Sequence, residues 1–152
     1  FIASAVIGLF EATLQQVVAL AVLMPIVASM GGIAGTQTLT IVIRAMALGQ
    51  ITPARGRTLV MKELGVGLIN GTFWSVTVAI VAYFWFGQAI LGALIAAAIV
   101  INLAVAALAG STLPGILKRL GVDPALAGGV LLTTITDVVG FFAFLGLAAL
   151  TF

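Results

Sequence analysis

From Val17 onward the sequence is a succession of apolar runs of bilayer-crossing length, separated by short polar stretches. No other feature restricts the fold as much. A spanning α-helix needs about 20 predominantly apolar residues, and inside hydrocarbon every backbone N–H and C=O must find its partner within the protein. Spanning strands would alternate lipid-facing and lumen-facing residues over stretches of ~10 residues, whereas these runs are apolar throughout. The chain is therefore predicted to be an all-α integral membrane protein embedded in a lipid bilayer. Charge agrees, since only 7% of the 152 residues are charged and 63% are hydrophobic, with a mean hydropathy of +1.37. A soluble domain carries roughly 25% charged residues to solvate its surface.

Five hydrophobic segments can be read. The first, Phe1 to Phe10, supplies only about half of a span and ends at Glu11, Thr13, Gln15 and Gln16. The second, Val17 to Leu48, is longer than a ~30 Å core requires at ~1.5 Å per residue. Pro25 and the run Gly31-Gly32-Ile33-Ala34-Gly35 predict an interruption there. A polar connection, Gln50 to Glu63, leads to the third segment, Leu64 to Phe86, then the fourth, Ala89 to Leu117, and the fifth, Ala125 to Phe152. No repeat or second domain is visible, so residues 1–152 read as one transmembrane domain. The chain opens inside an apolar run with no basic flank or cleavage site of a signal peptide. This predicts a truncated first helix, with any soluble part lying before it.

The basic residues orient the segments. Arg55, Arg57 and Lys62, with Arg44 nearby, fall between segments two and three, and Lys118 and Arg119 between four and five. The connection around Gly87 is uncharged and flanked by Tyr83, Trp85 and Phe86. Cytoplasmic loops are enriched in Lys and Arg, and aromatic residues favour membrane interfaces. A multi-pass cell-membrane protein with a cytoplasmic amino end and an external carboxyl end follows. The net charge of +2 comes from this clustering and does not suggest a nucleic-acid partner. The absence of Cys and His excludes disulfides, thiolate or imidazole zinc sites and histidine base catalysis.

Asp137 is the principal candidate for chemistry. It lies about 20 Å along a helix beginning at Ala125, near mid-membrane. A carboxylate there costs at least ~2.5–3.5 kcal/mol on insertion scales, and such residues face a water-filled pathway or a partner. No basic residue lies at comparable depth, so a pathway is the better reading. Gly129, Thr133, Asp137 and Gly140 recur at helical spacing and share a small, polar face. Gly31 to Gly35, followed by Thr36, Gln37 and Thr38, is a second polar stretch; Gly31 and Gly35 also form a packing motif of the GxxxG kind, as do Gly67 and Gly71. Asp123-Pro124 is an N-cap followed by a favoured first helical residue. Asn70 and Asn102 read as interhelical hydrogen-bonding groups first and pathway groups second, and Glu11 and Glu63 as solvated or interfacial segment ends. Aspartyl proteolysis needs paired carboxylates, and only Asp137 lies at depth, so an enzyme is not expected.

The stretches Met30 to Thr38, Ile43-Arg44-Ala45, Lys62-Glu63, Leu120 to Leu126 and Thr133 to Gly140 resemble, in order and across nearly the whole chain, the membrane domain of the MgtE family of magnesium channels. The resemblance implies a homodimer with five spanning helices per subunit and a pore on the two-fold axis, lined by the second and fifth helices. It implies that Asp137 helps hold a hydrated Mg²⁺, that Thr133 lines the same site, and that Asp123 binds metal at the cytoplasmic mouth. On the second and fifth segments Gly129, Thr134, Thr136 and Gly140, with Gly31, Gly32 and Thr36, are expected to line such a pore. A cytoplasmic Mg²⁺-sensing part of the same polypeptide, with CBS domains, is expected outside this sequence. One departure stands out: the family's glycine pair is usually followed by Asn, and this chain has Ile33. Ile33 raises the plausibility of Mn²⁺ or another divalent cation as cargo.

Together these readings predict a divalent-cation channel that conducts hydrated Mg²⁺ at the dimer axis, with Asp137 as the intramembrane ion site. The alternative is a secondary active transporter of Mg²⁺ or Mn²⁺ coupled to another ion, although no inverted repeat is visible.

Overall fold

The computed structural model describes residues 1–50 and 53–152, with side chains of the fourth helix from 56 onward. The side chain of Arg55, counted above among the orienting cations, lies outside the described residues. The described residues form six helices: α1 (Ile2–Leu9), α2 (Glu11–Gln16), α3 (Ala19–Ala47), α4 (Pro53–Phe86), α5 (Ala89–Arg119) and α6 (Pro124–Ala149). Helices α3 to α6 are long and apolar enough to cross a membrane. The first segment forms α1 and the polar group after it forms α2, with the break at Phe10, and α1 packs against α6.

Local chemistry sets the helix ends. Asp123 Oδ1 accepts a 2.8 Å bond from the Ala125 amide, with Pro124 in the first turn of α6. Asp and Pro suit those two positions because one satisfies an orphan N–H and the other lacks it. Gly87 and Gly121, with φ of 68° and 74°, turn the chain after α4 and α5, a left-handed conformation that glycine adopts without steric cost. Lys118 and Arg119 occupy the last turn of α5, where cations meet the negative end of the helix dipole.

Helix α5 is the hub, packed against α3, α4 and α6. Lipid is as apolar as leucine, so close van der Waals packing must hold such helices together. A Cβ at Gly110 would stand 2.7 Å from the Gly35 carbonyl oxygen, and one at Gly67 would stand 2.8 Å from the Ala107 methyl. Gly67 and Gly71 thus serve contact between α4 and α5. On its far side α4 exposes Ile69, Phe73, Phe84 and Trp85, the surface expected against acyl chains and the interface.

The structure departs from the sequence expectations at three places. Helix α3 is unbroken from Ala19 to Ala47, with Pro25 inside it. Proline removes one donor near the start of the helix. The glycines are held by close contacts with α5 and α6, and unwinding would strand backbone groups in hydrocarbon. The polar connection is shorter than read, because α4 begins at Pro53 and carries Arg57, Lys62 and Glu63 in its opening turns. Glu63 is not a solvated segment end. It is only 7% exposed, and its Oε2 accepts a 3.2 Å bond from the Thr38 hydroxyl of α3.

Candidate ion-binding groove

On α3 the residues Val27, Gly31, Gly35 and Leu39 form a buried ridge with four-residue spacing, and on α6 Gly128, Leu132, Thr136 and Gly140 form another. Such ridges interlock when helices pack. A Cβ at Gly35 would come within 3.0 Å of the Leu132 side chain, and one at Gly128 within 3.2 Å of Leu39. The next residue along an α-helix is rotated by roughly 100°. That single step carries Gly32, Thr36 and Thr40 out of the ridge on α3, and Thr133 and Asp137 out of it on α6.

Those residues line an open groove of about 910 Å³, completed by Ala28, Ser29, Ile33, Gln37 and Ile41. Asp137 is half-buried in its wall. The groove is a one-sided trough, polar along Thr36, Gln37, Thr40, Thr133 and Asp137 and apolar at Ile33 and Ile41. The threonines are already committed as donors. Thr36 donates to the Gly32 carbonyl at 2.7 Å, Thr40 to that of Thr36 at 2.8 Å, and Thr133 to that of Gly129 at 3.0 Å. With their hydrogens turned to the backbone, these hydroxyls present lone pairs. Bonds of this kind are ordinary for threonine in a helix; their effect here is a row of acceptors beside a carboxylate.

Among the described residues no three carboxylates, cysteines or histidines converge. The groove instead offers the hydroxyl oxygens of Thr36, Thr40 and Thr133 beside the single carboxylate of Asp137, acceptors suited to the hydrogens of a hydrated cation.

The structure divides the sequence-predicted set. Asp137, Thr133, Gly32 and Thr36 come together in the groove. Gly31, Thr136 and Gly140 turn into the subunit interior and do not line it. Gly31 and Gly140 pack on Asn102, and Thr136 is fully buried, bonded to the Leu132 and Thr133 carbonyls. The physical reason is the rotation of the two ridges. Gly129, one turn before Thr133, is half-buried with open space around it, and Thr134 bonds to the Val130 carbonyl without lining the groove. Asp123 stays exposed at the end of α6, about 21 Å along the axis from Asp137. It lines a separate crevice of about 440 Å³ with Lys118, Gly121 and Met46, and the cap engages only one of its oxygens. Asn102 bonds between helices as expected, whereas Asn70 is exposed on α4. Ser29, Thr40 and Ile41 escaped the sequence reading, although their four-residue spacing from Ile33, Thr36 and Gln37 was visible.

Residues 24–147 match the MgtE family, described as divalent cation transporters. The chain is 37% identical to a magnesium transporter MgtE of Bacillus subtilis over 97% of its length. It is 36% identical over 98% to that of Thermus thermophilus, and 30% identical over 97% to that of Enterococcus faecalis. It spans about a third of the length of these curated relatives. With both the family match and these identities running through α3 to α6, the chain belongs to the MgtE family of divalent cation transporters.

Proposed function

We propose that this domain conducts hydrated Mg²⁺ along the Asp137 groove, in a homodimer whose two grooves face each other across a two-fold axis. The observation that carries this reading is the groove itself. It sets Asp137 and the threonine acceptors Thr36, Thr40 and Thr133 on one open face, directed away from the rest of the subunit. A second copy would close that face and pair the two carboxylates. In this reading α1 belongs to a fifth span.

Mg²⁺ gives up its waters reluctantly. A site that touches the ion through its hydration shell avoids that cost and lets the ion leave. The hydrogens of the bound waters point outward and need acceptors, which the threonine oxygens supply. Charge comes from Asp137, as in the acidic rings of other cation pathways. Asp123 would draw cations to the cytoplasmic mouth with its free oxygen. The ends of α3, α4 and α5 meet in a crevice lined by Met46, Gly56, Lys118 and Arg119, so the cationic residues gather at one end of the bundle. That end is assigned to the cytoplasm. Cysteine labelling should find positions 57 and 118 accessible from inside and 88 from outside.

The alternative, coupled transport of Mg²⁺ or Mn²⁺, is favoured by one observation. Glu63 is a buried carboxylate outside the groove, its Oε2 accepting from the Thr38 hydroxyl, and a charge-bearing group away from the cation's path is what coupling to a second ion would use. Liposome uptake with and without an imposed pH gradient separates the two. A channel responds to the Mg²⁺ gradient and voltage alone. Dependence of net Mg²⁺ movement on the proton gradient would assign coupled transport. Asp137→Asn tests the site in the same assay, with protein amount and dimerisation checked; undiminished flux would remove Asp137 from the pathway.

A further inference from the structure

We propose that Asn102 of α5 is a positioning residue for the groove, its buried amide setting the separation of α3 and α6 beside Asp137. This rests on the reading of the groove as the ion pathway. Asn102 is 0% exposed and touches no groove surface; its Nδ2 donates a 2.8 Å bond to the Val27 carbonyl oxygen of α3. Two glycines clasp the amide. A Cβ at Gly31 of α3 would lie 2.3 Å from Nδ2, and one at Gly140 of α6 would lie 2.6 Å from it. Both helices therefore approach the same flat group with bare backbone. Gly31 directly precedes Gly32 in the groove wall, and Gly140 lies within a turn of Asp137. The thickness of one amide thus becomes the spacer between the backbones that carry the groove.

Volume alone does not account for this choice. Asn102 Oδ1 is buried without a hydrogen-bond partner, a cost that an apolar side chain of similar size would avoid. Turning the amide over would bring its carbonyl oxygen against that of Val27, so the orientation is set by the bond. What the amide supplies and leucine cannot is a donor to the α3 backbone, locking the register of α3 against α5 behind Gly32.

The test measures Mg²⁺ uptake and K⁺ leak in liposomes for Asn102→Ala, Asn102→Leu, Gly31→Ala and the double variant Asn102→Ala with Gly31→Ala. Each single variant should shift the half-saturating Mg²⁺ concentration at least about fivefold, or admit K⁺, at unchanged protein amount. In the double variant the methyl at position 31 fills the space the amide leaves. Its defect should then fall below the sum of the singles, as neighbours that share a slot couple. Wild-type half-saturation and selectivity in an assembled Asn102→Leu or Asn102→Ala protein would overturn the proposal, as would strict additivity. If every Asn102 variant fails to assemble while Asp137→Asn assembles, Asn102 serves folding alone and the proposal falls. Asp137→Asn run in parallel keeps the two readings apart. Retained flux there sinks the ion site, whereas lost flux there with wild-type behaviour at Asn102 sinks only the positioning role.

Discussion

The same two helices build two polar regions of opposite character. On one side of α3 and α6 lies the groove, where Thr36, Thr40, Thr133 and Asp137 line an open trough. Behind it lies the junction, where Asn102 is enclosed by Val27, Gly31 and Gly140 with no exposure at all. The residue types overlap, with glycine, threonine and a short polar side chain in each. What differs is one step along the helix. Gly31 is gripped and Gly32 is free; Thr136 is buried and Asp137 lines the groove. A small polar residue in a membrane helix is therefore neither a packing element nor a pathway element by type. Its rotation relative to its neighbours decides.

The largest expected effect lies on the groove side. Asp137→Asn removes the charge that attracts a divalent cation, an interaction that at an effective dielectric near 20 is worth enough to change flux by about 100-fold or more. The variant should assemble at least as well as the parent, because inserting a carboxylate costs energy that an amide largely avoids. Mg²⁺ uptake with the assembled protein quantified checks both halves. Retained uptake would erase the functional distinction between the two regions.

Next in size is a paired test of the one-residue step. Gly31→Ala drives a methyl into the Asn102 amide and should destabilise the fold by about 1–3 kcal/mol, the usual cost of overpacking. Gly32→Ala meets only the Thr133 methyl at 3.8 Å and should change stability by less than about 0.5 kcal/mol. Thermal unfolding in detergent compares the two, and equal destabilisation would mean that the ridge and the groove wall are not distinct.

A smaller effect belongs to Asp123, away from both regions. Asp123→Ala removes the cap of α6 and should cost about 1 kcal/mol. Asp123→Asn keeps a capping oxygen and should restore most of that stability, yet it should still weaken Mg²⁺ uptake if the free oxygen draws cations to the mouth. Full recovery of uptake in Asp123→Asn would reduce this residue to a cap.

The smallest effect is the most specific. Ile33 follows the Gly31-Gly32 pair, is 61% exposed and lines the groove. Ile33→Asn adds an amide that can bond to ion-bound water, so Mg²⁺ should gain on Mn²⁺ by a few-fold, about the value of one hydrogen bond. Competition of Mn²⁺ against Mg²⁺ uptake reads this out. An unchanged ratio would place Ile33 outside the ion's contacts.

Much of this protein was legible without coordinates. The apolar runs dictate spanning helices, because hydrocarbon offers the backbone no hydrogen bonds. Asp123-Pro124 announces the start of α6 through the orphan N–H groups that every helix must satisfy. Asp137 stands out in the sequence as a carboxylate in the middle of an apolar run, costly to insert, and the structure sets it in the wall of the groove. Those features are local, or follow from position along one chain in one solvent. The tertiary structure alone decided which neighbours each residue meets. Pro25 and three glycines looked like a break in α3, and the helix is intact because α5 and α6 press against those glycines. Glu63 looked like a solvated end, and it is buried because α4 begins ten residues earlier, at Pro53, and lays that turn on Thr38. Gly31, Thr136 and Gly140 share the small, polar composition of the groove residues, yet they turn into the interior behind it. Periodicity shows that residues share a face, but the direction of that face is set by the ridges of other helices, and a rotation of roughly 100° exchanges wall for core.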